Sequence, residues 1–195
     1  MGISNSIYSV VKRLIDIHVS LLALLLLLPV FVLLSVSICI DSPGRPFFVQ
    51  KRVGRGGCIF KMLKFRSMIE GADRYGPNST ADNDPRITRV GHFIRRSSLD
   101  ELPQLWNVLV GHMSLIGPRP DLPAQEALYS PYKWKRRCKV RPGITGLAQV
   151  SGRSNLTVQR RLTYDLLYAA RPTFRRDFVI AIRTVWVVIN KTGVN

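Results

Sequence analysis

Three cysteines, three histidines and only 12 acidic residues in a chain of 195 are its first features, and each scarcity narrows the reading. Cys39, Cys58 and Cys138 are odd in number and far apart, with no CxxC and no neighbouring histidine set. Neither a disulfide framework nor a zinc site is expected, and reduced thiols in a cytosolic setting fit better. His92 and His112 are isolated and read as satisfied or exposed side chains rather than as ligands or bases. Carboxylates are outnumbered by 29 Lys and Arg, giving a formal net charge of +17. The partners should therefore be anionic: phosphates, nucleic acid or an acidic lipid surface, among which charge alone does not choose. No internal repeat is found, and the length suits one domain with a real core.

The one biased tract is apolar. From Val19 to Ile40 the exceptions are Ser20, Pro29, Ser35 and Ser37, and no residue is charged. About 22 residues of helix reach roughly 33 Å, enough to cross a hydrocarbon core. A cleaved signal peptide is disfavoured by the length of the run and by Ile40-Asp41-Ser42-Pro43 as a cleavage site. Pro29, near the middle, removes a helix hydrogen bond and predicts a kink. Lys12 and Arg13 precede the run, and Arg45, Lys51, Arg52 and Arg55 follow it. Positive charge on both flanks favours a helix that dips in and returns to one face over a kinked single span, though both stay open on these residues.

Beyond the run, Phe47-Phe48-Val49-Gln50 and Ile59-Phe60-Lys61-Met62-Leu63 flank Gly54-Arg55-Gly56-Gly57 and predict a β-hairpin with a plain turn. Lys61, Lys64 and Arg66 add charge along it, some of it a solvated face near anionic lipid. A polar loop over 71–84 leads to Pro85 and a predicted helix that carries Arg86, Arg89, Arg95 and Arg96 toward Asp100 and Glu101.

The adjacent carboxylates Asp100 and Glu101 read either as a helix start or as the working end of a phosphate-handling site. Ser98 with Glu101 fits a capping box, Pro103 fits a first turn, and Gly111 supplies a stop. In Gly117-Pro118-Arg119-Pro120 the prolines hold Arg119 on a stiff stalk, suited to meeting a phosphate or stacking on a base, or else to an ordinary turn. Helices are expected over 121–128 and 132–138, where Trp134 among Lys133, Lys135 and Arg136 suits a headgroup region better than nucleic acid. Residues 140–155, with Arg141, read as a long functional loop closing over the site. Thr157 caps a helix over 158–170 in which Asp165 sits among apolar and aromatic residues, so it is either paired with an arginine or part of a site. The last helix, 174–190, aligns Phe178, Ile182, Val185, Trp186 and Ile189 on one face, expected to pack in the core, with the membrane surface as the alternative.

Six collinear stretches resemble the bacterial sugar transferase family of monotopic phosphoglycosyl transferases. They are Lys12-Arg13-Leu14-Ile15-Asp16, Gln50-Lys51-Arg52-Val53-Gly54, Lys64-Phe65-Arg66-Ser67-Met68, Ser98 through Val108, Gly117-Pro118-Arg119-Pro120, and Arg141 through Gly146. They span nearly the whole chain, which resembles the family's minimal form. The resemblance implies transfer of a sugar-1-phosphate from a UDP-sugar to polyprenyl (undecaprenyl) phosphate with release of UMP, the first membrane step of bacterial polysaccharide or glycoprotein glycan assembly. It implies Asp100 as nucleophile, Glu101 acting with Mg²⁺, and a re-entrant helix broken at Pro29. Leu28 stands where some relatives carry a serine before that proline.

The expected fold is α+β. Residues 1–41 are a membrane-embedded helix-break-helix, and 42–195 a mostly helical catalytic domain with a small β-hairpin and interfacial helices on the cytosolic face of the inner membrane. A carboxylate attacking an anionic diphosphate needs cations to offset the developing charge. The candidates are Arg86, Arg89, Arg95, Arg96 and Arg119, with Lys64, Arg66 and Arg141 beside them and Asp165 supporting the metal or an arginine. A membrane-anchored module that binds nucleic acid or acidic polymer would explain the charge, but not the dyad or the ordered motifs, so nucleic acid is not expected as a partner.

Overall fold

The computed structural model describes residues 3–72, 84–152 and 156–190, with side chains from residue 7 onward. The fold is α+β and mostly helical. Most of the expected 71–84 loop and residues 153–155 lie outside the described part.

Helices α1 (Ile3–Leu26) and α2 (Leu28–Asp41) meet at an angle of 61°. Among the described residues no single helix is long and apolar enough to cross a membrane, whereas this bent pair together meets that length and composition. The break falls at Leu27, not at Pro29, which occupies the first turn of α2. A first-turn residue needs no N–H, so the proline is tolerated there and the bend moves upstream of it. Leu27 N still donates to Ala23 O and Phe31 N to Leu27 O, both at 2.9 Å. Leu22, Leu25, Leu26, Leu28, Leu33 and Ile40 are all exposed. The charged lead-in is docked on the rest of the chain: Tyr8 Oη and Lys12 Nζ each donate to Asp177 Oδ2 at 2.7 Å.

Strands β1 (Phe47–Val53) and β2 (Ile59–Phe65) form the expected antiparallel hairpin, in register from Phe47 opposite Phe65 to Val53 opposite Ile59. Its turn takes φ of 72° at Gly56 and 85° at Gly57, the left-handed region that favours glycine. Phe65 packs with Leu34, Ile38 and Ile94, joining the hairpin to α2 and to α3 (Arg89–Arg96). A second cluster joins Phe60 and Met62 to Val108 and Met113 under α4 (Gln104–Leu109).

The dyad does not begin one continuous helix. Leu99–Glu101 is a separate 3₁₀ turn ahead of α4, and Ser98 makes no side-chain cap, so the capping box is absent. Ser98 instead takes a left-handed φ of 58°, which reverses the chain at the end of α3, and Glu101 is left facing other partners. Gly111, at φ of 94°, does end α4.

Strand β3 (Ser114–Ile116) pairs in parallel with β4 (Gly143–Thr145). The expected long loop over 140–155 therefore contains a strand and α6 (Leu147–Ser151). The expected 121–128 helix is a 3₁₀ stretch, Pro123–Leu128, followed by α5 (Pro131–Arg137). Trp134 is buried with Val53, Tyr129, Cys138 and Leu162, so it is a core residue and not a headgroup contact. Helix α7 (Val158–Ala170) is capped by Thr157 as expected. On α8 (Phe174–Ile189) the expected core face is exposed, Phe178 at 68% and Trp186 at 59%, while Asp177, Ile180 and Val187 point inward. Apolar periodicity located a face correctly and assigned it to the wrong side, because a period carries no information about which medium it meets.

Candidate active site

Asp100 and Glu101 sit on the 3₁₀ turn, opposite Lys64 near the end of β2. Lys64 Nζ lies 3.5 Å from Asp100 Oδ2 and 3.0 Å from Glu101 Oε1. Arg119 Nη2 donates to the same Glu101 Oε1 at 2.6 Å. Lys64 is fixed relative to the dyad by Asn107, whose Oδ1 accepts from Leu63 N at 2.9 Å while its Nδ2 donates to Lys61 O at 2.8 Å. A buried amide that closes two hydrogen bonds to one strand locks α4 and β2 in register.

The two carboxyls are driven apart. Burial pushes the Asp100 carboxyl up, Glu101 adds to that, and Lys64 and Arg119 oppose it. Burial acts on Glu101 in the same direction, but the charges of Arg119 and Lys64 outweigh it and hold that carboxyl well below the usual range. Glu101 is thus the fixed anion, and Asp100 is the more basic partner, with the less compensated charge. Because the ionised form is the one that can attack or ligate, activity should rise with pH as Asp100 deprotonates. Lys64→Met removes the main stabiliser of the Asp100 anion, so the acid limb of kcat/KM is expected to move to higher pH. A limb that stays in place would show that Lys64 does not face Asp100 in the working enzyme.

The remaining expected site residues divide sharply. Arg86 lies ahead of α3, not on it, and pairs with Asp84 at 2.6 Å, holding that carboxyl down at about 2 through its side-chain hydrogen bonds. Arg89 and Arg96 are exposed on α3, and the charge of Arg95 is felt at Asp84. Among the described residues, the cations paired with the dyad are Lys64 and Arg119. Arg66 is buried and holds the end of α2, donating to Pro43 O at 2.7 Å and to Ser42 O, and so satisfies carbonyls at that helix end. Arg141 Nε donates to Gly111 O at 3.0 Å, beyond the far end of α4. Asp165 pairs with Arg137 Nε at 2.9 Å, the arginine partner that its expected role allowed.

Among the described residues no three His, Cys, Asp or Glu side chains gather into a metal cage. Mg²⁺, however, commonly takes one or two protein carboxylates and completes its shell with water and substrate phosphate oxygens. Asp100 and Glu101 fit that donor set. Sequence reasoning assigned no individual role to Arg137 or Arg161, placed Asn107 only within a family-like stretch, and read Arg52 as flanking charge beside a turn; the partners that define all four lie far off in the chain.

Two carboxylates and two cations are thus gathered at the edge of a hairpin, on a chain with a bent apolar helix pair. This chain belongs to the bacterial sugar transferase family, whose profile matches residues 7–191. It is 42% identical over 200 residues to a UDP-galactose-lipid carrier transferase of Erwinia amylovora, covering 93% of this chain and 41% of that protein. To a UDP-glucose:undecaprenyl-phosphate glucose-1-phosphate transferase of Xanthomonas campestris pv. campestris it is 42% identical over 203 residues, 98% of this chain and 42% of the other. An exopolysaccharide production protein, ExoY, of Sinorhizobium fredii is 35% identical over 207 residues, 98% of this chain and 91% of its own length. The chain thus spans less than half the length of two of these three relatives.

Proposed function

We propose that the protein transfers a sugar-1-phosphate from a UDP-sugar to polyprenyl (undecaprenyl) phosphate, releasing UMP, at the cytosolic face of the bacterial inner membrane. The observation that carries this reading is the buried Asp100 carboxyl, raised toward basicity, beside a Glu101 whose charge is matched by Lys64 and Arg119. An Asp100 oxygen attacks the phosphorus that bears the sugar, and the bond from that phosphorus to the UMP oxygen breaks. UMP leaves with the bonding pair, and a mixed carboxyl–phosphate anhydride remains on Asp100. A polyprenyl phosphate oxygen then attacks the same phosphorus, and the Asp100 carboxylate departs as the leaving group. One diphosphate linkage is lost and one is formed, so the overall reaction lies near equilibrium and both substrates use one site in turn.

Mg²⁺ held by Glu101, with Asp100 adjacent, would offset the charge on the diphosphate oxygens. Lys64 orients the Asp100 oxygen, and Arg119 is placed to bind a phosphate oxygen as a charge-assisted donor. The bent α1–α2 pair would enter the bilayer and return to the same face, bringing a lipid-borne acceptor to a water-soluble donor; its exposed leucines and the charges on both flanks support that topology.

The test is UMP release from a panel of UDP-sugars with Mg²⁺ and polyprenyl phosphate in liposomes. Release that requires the lipid acceptor supports the reading, and none from any donor sinks it. Arg119→Ala is expected to raise KM for the UDP-sugar about 10- to 100-fold, the equivalent of a hydrogen bond to a charged group. An unchanged KM would remove Arg119 from the donor site.

A further inference from the structure

Behind the dyad lies a second group of charges that the reaction itself does not use. Asp121, Asp165 and Arg137 are almost wholly buried, at 0%, 2% and 4% exposure. All three guanidinium nitrogens of Arg137 are engaged. Nε donates to Asp165 Oδ2 at 2.9 Å, Nη1 lies 2.9 Å from Asp121 Oδ2, and Nη2 donates to the backbone oxygen of Arg119 at 2.5 Å. Arg161, from α7, pairs with the other Asp121 oxygen. From β1, Arg52 Nη1 donates to Pro120 O at 3.0 Å and Val53 N donates to Asp121 O at 2.9 Å. The backbone oxygens of Arg119, Pro120 and Asp121 are therefore each gripped by a different donor, from α5 and β1.

Such burial is costly unless every charge is paired, and buried ion pairs are poor evidence of net stability. Their better attested use is to select one geometry, and here the geometry selected is that of the segment carrying Arg119. Pro118 and Pro120 confine Arg119 to extended torsions, but that basin still spans a range of ψ over which the direction of its carbonyl changes. A fork with three fixed donors removes that freedom, which a lysine's rotating ammonium cannot do.

We propose that Asp165, acting through Arg137, is a positioning residue that aims Arg119 at the donor phosphate by fixing its backbone oxygen. This role rests on the transferase reading above. It also replaces a metal role for Asp165 with one two side chains removed from the substrate.

The experiment is a double-mutant cycle, reading KM for the UDP-sugar, kcat and Mg²⁺ half-saturation for Asp165→Asn in the wild-type and Arg119→Ala backgrounds. Asp165→Asn is expected to raise KM on the order of 10-fold in the wild type and less than about 2-fold once Arg119 is absent, with Mg²⁺ half-saturation unchanged. Arg52→Gln is carried through the same cycle, because asparagine at 165 leaves Arg137 facing a neutral amide in the core and can lower the yield of folded protein. It releases Pro120 O from the half-buried side and should show the same coupling. An equal loss in both backgrounds would mark the network as scaffold only, and a raised Mg²⁺ requirement would return Asp165 to the metal; either overturns the proposal while leaving the transferase reading intact. A wild-type protein that releases no UMP overturns both.

Discussion

Asp100→Asn is expected to lower kcat by about 10⁴-fold or more, the scale seen when a covalent nucleophile is removed. The substitution preserves shape, and Asp100 is only 9% exposed, so packing around the 3₁₀ turn changes little. Charge changes more. The wild-type site balances Asp100 and Glu101 against Lys64 and Arg119; the variant keeps both cations and one carboxylate. An anionic UDP-sugar should then bind at least as well as before. The loss is expected in kcat, with the donor dissociation constant unchanged or lower. Turnover by UMP release and equilibrium binding of the UDP-sugar separate the two quantities. Labelled donor should leave an adduct on the wild-type carboxyl and none on the variant. Turnover above about one hundredth of wild type would mean that phosphate passes directly from donor to acceptor, and Asp100 would lose its covalent role.

Much of this site could be read from the residues alone, because its signals are local. Asp100 next to Glu101, the stiff Pro118-Arg119-Pro120 and the alternating hairpin strands each announce themselves within a few positions. What failed to show depends on distance or on competition between local rules. Ser98 and Glu101 have the spacing of a capping box, yet the left-handed φ of Ser98 prevents it, and Glu101 spends its oxygen on Lys64 and Arg119. Pro29 announced a break, but a proline is accommodated in a first turn, so the bend lies at Leu27. Arg86 had helical spacing toward the dyad and was captured by Asp84, two residues away. Asn107 reaches a strand more than 40 residues earlier, and Arg137 joins Asp165 across 28; no pattern in the sequence announces such pairs.

The parallel pair β3–β4 shows the same limit and carries the second large effect, a loss of stability in Gly143→Ala. A three-residue strand that opens on glycine, with Gly146 just behind it, reads as loop, because glycine is depleted in strands. Here it is the missing side chains that let the strands meet. A Cβ on Gly143 would overlap Gly117 N, Thr145 O and Gly117 Cα, all backbone atoms with no rotamer to yield. Its own amide donates to Pro118 O at 2.9 Å, and Gly117 N donates to Thr145 O at 2.8 Å. Forcing the segments apart costs about 1–3 kcal/mol in strain and repacking, and each hydrogen bond lost adds roughly 1 kcal/mol. A total of about 3–5 kcal/mol corresponds to a Tm roughly 10 °C lower for a chain of this size. Gly56→Ala is the comparison, since a Cβ there meets nothing within 4 Å and the φ of 72° alone is strained, costing about 1–2 kcal/mol. Thermal unfolding of the two variants in the same detergent decides the matter. Equal shifts would show that close backbone approach at Gly143 is not what holds β3 to β4. A much larger shift at Gly143, accompanied by a raised KM for the UDP-sugar, would show that the same contact that closes the sheet also sets the stalk from which Arg119 reaches Glu101.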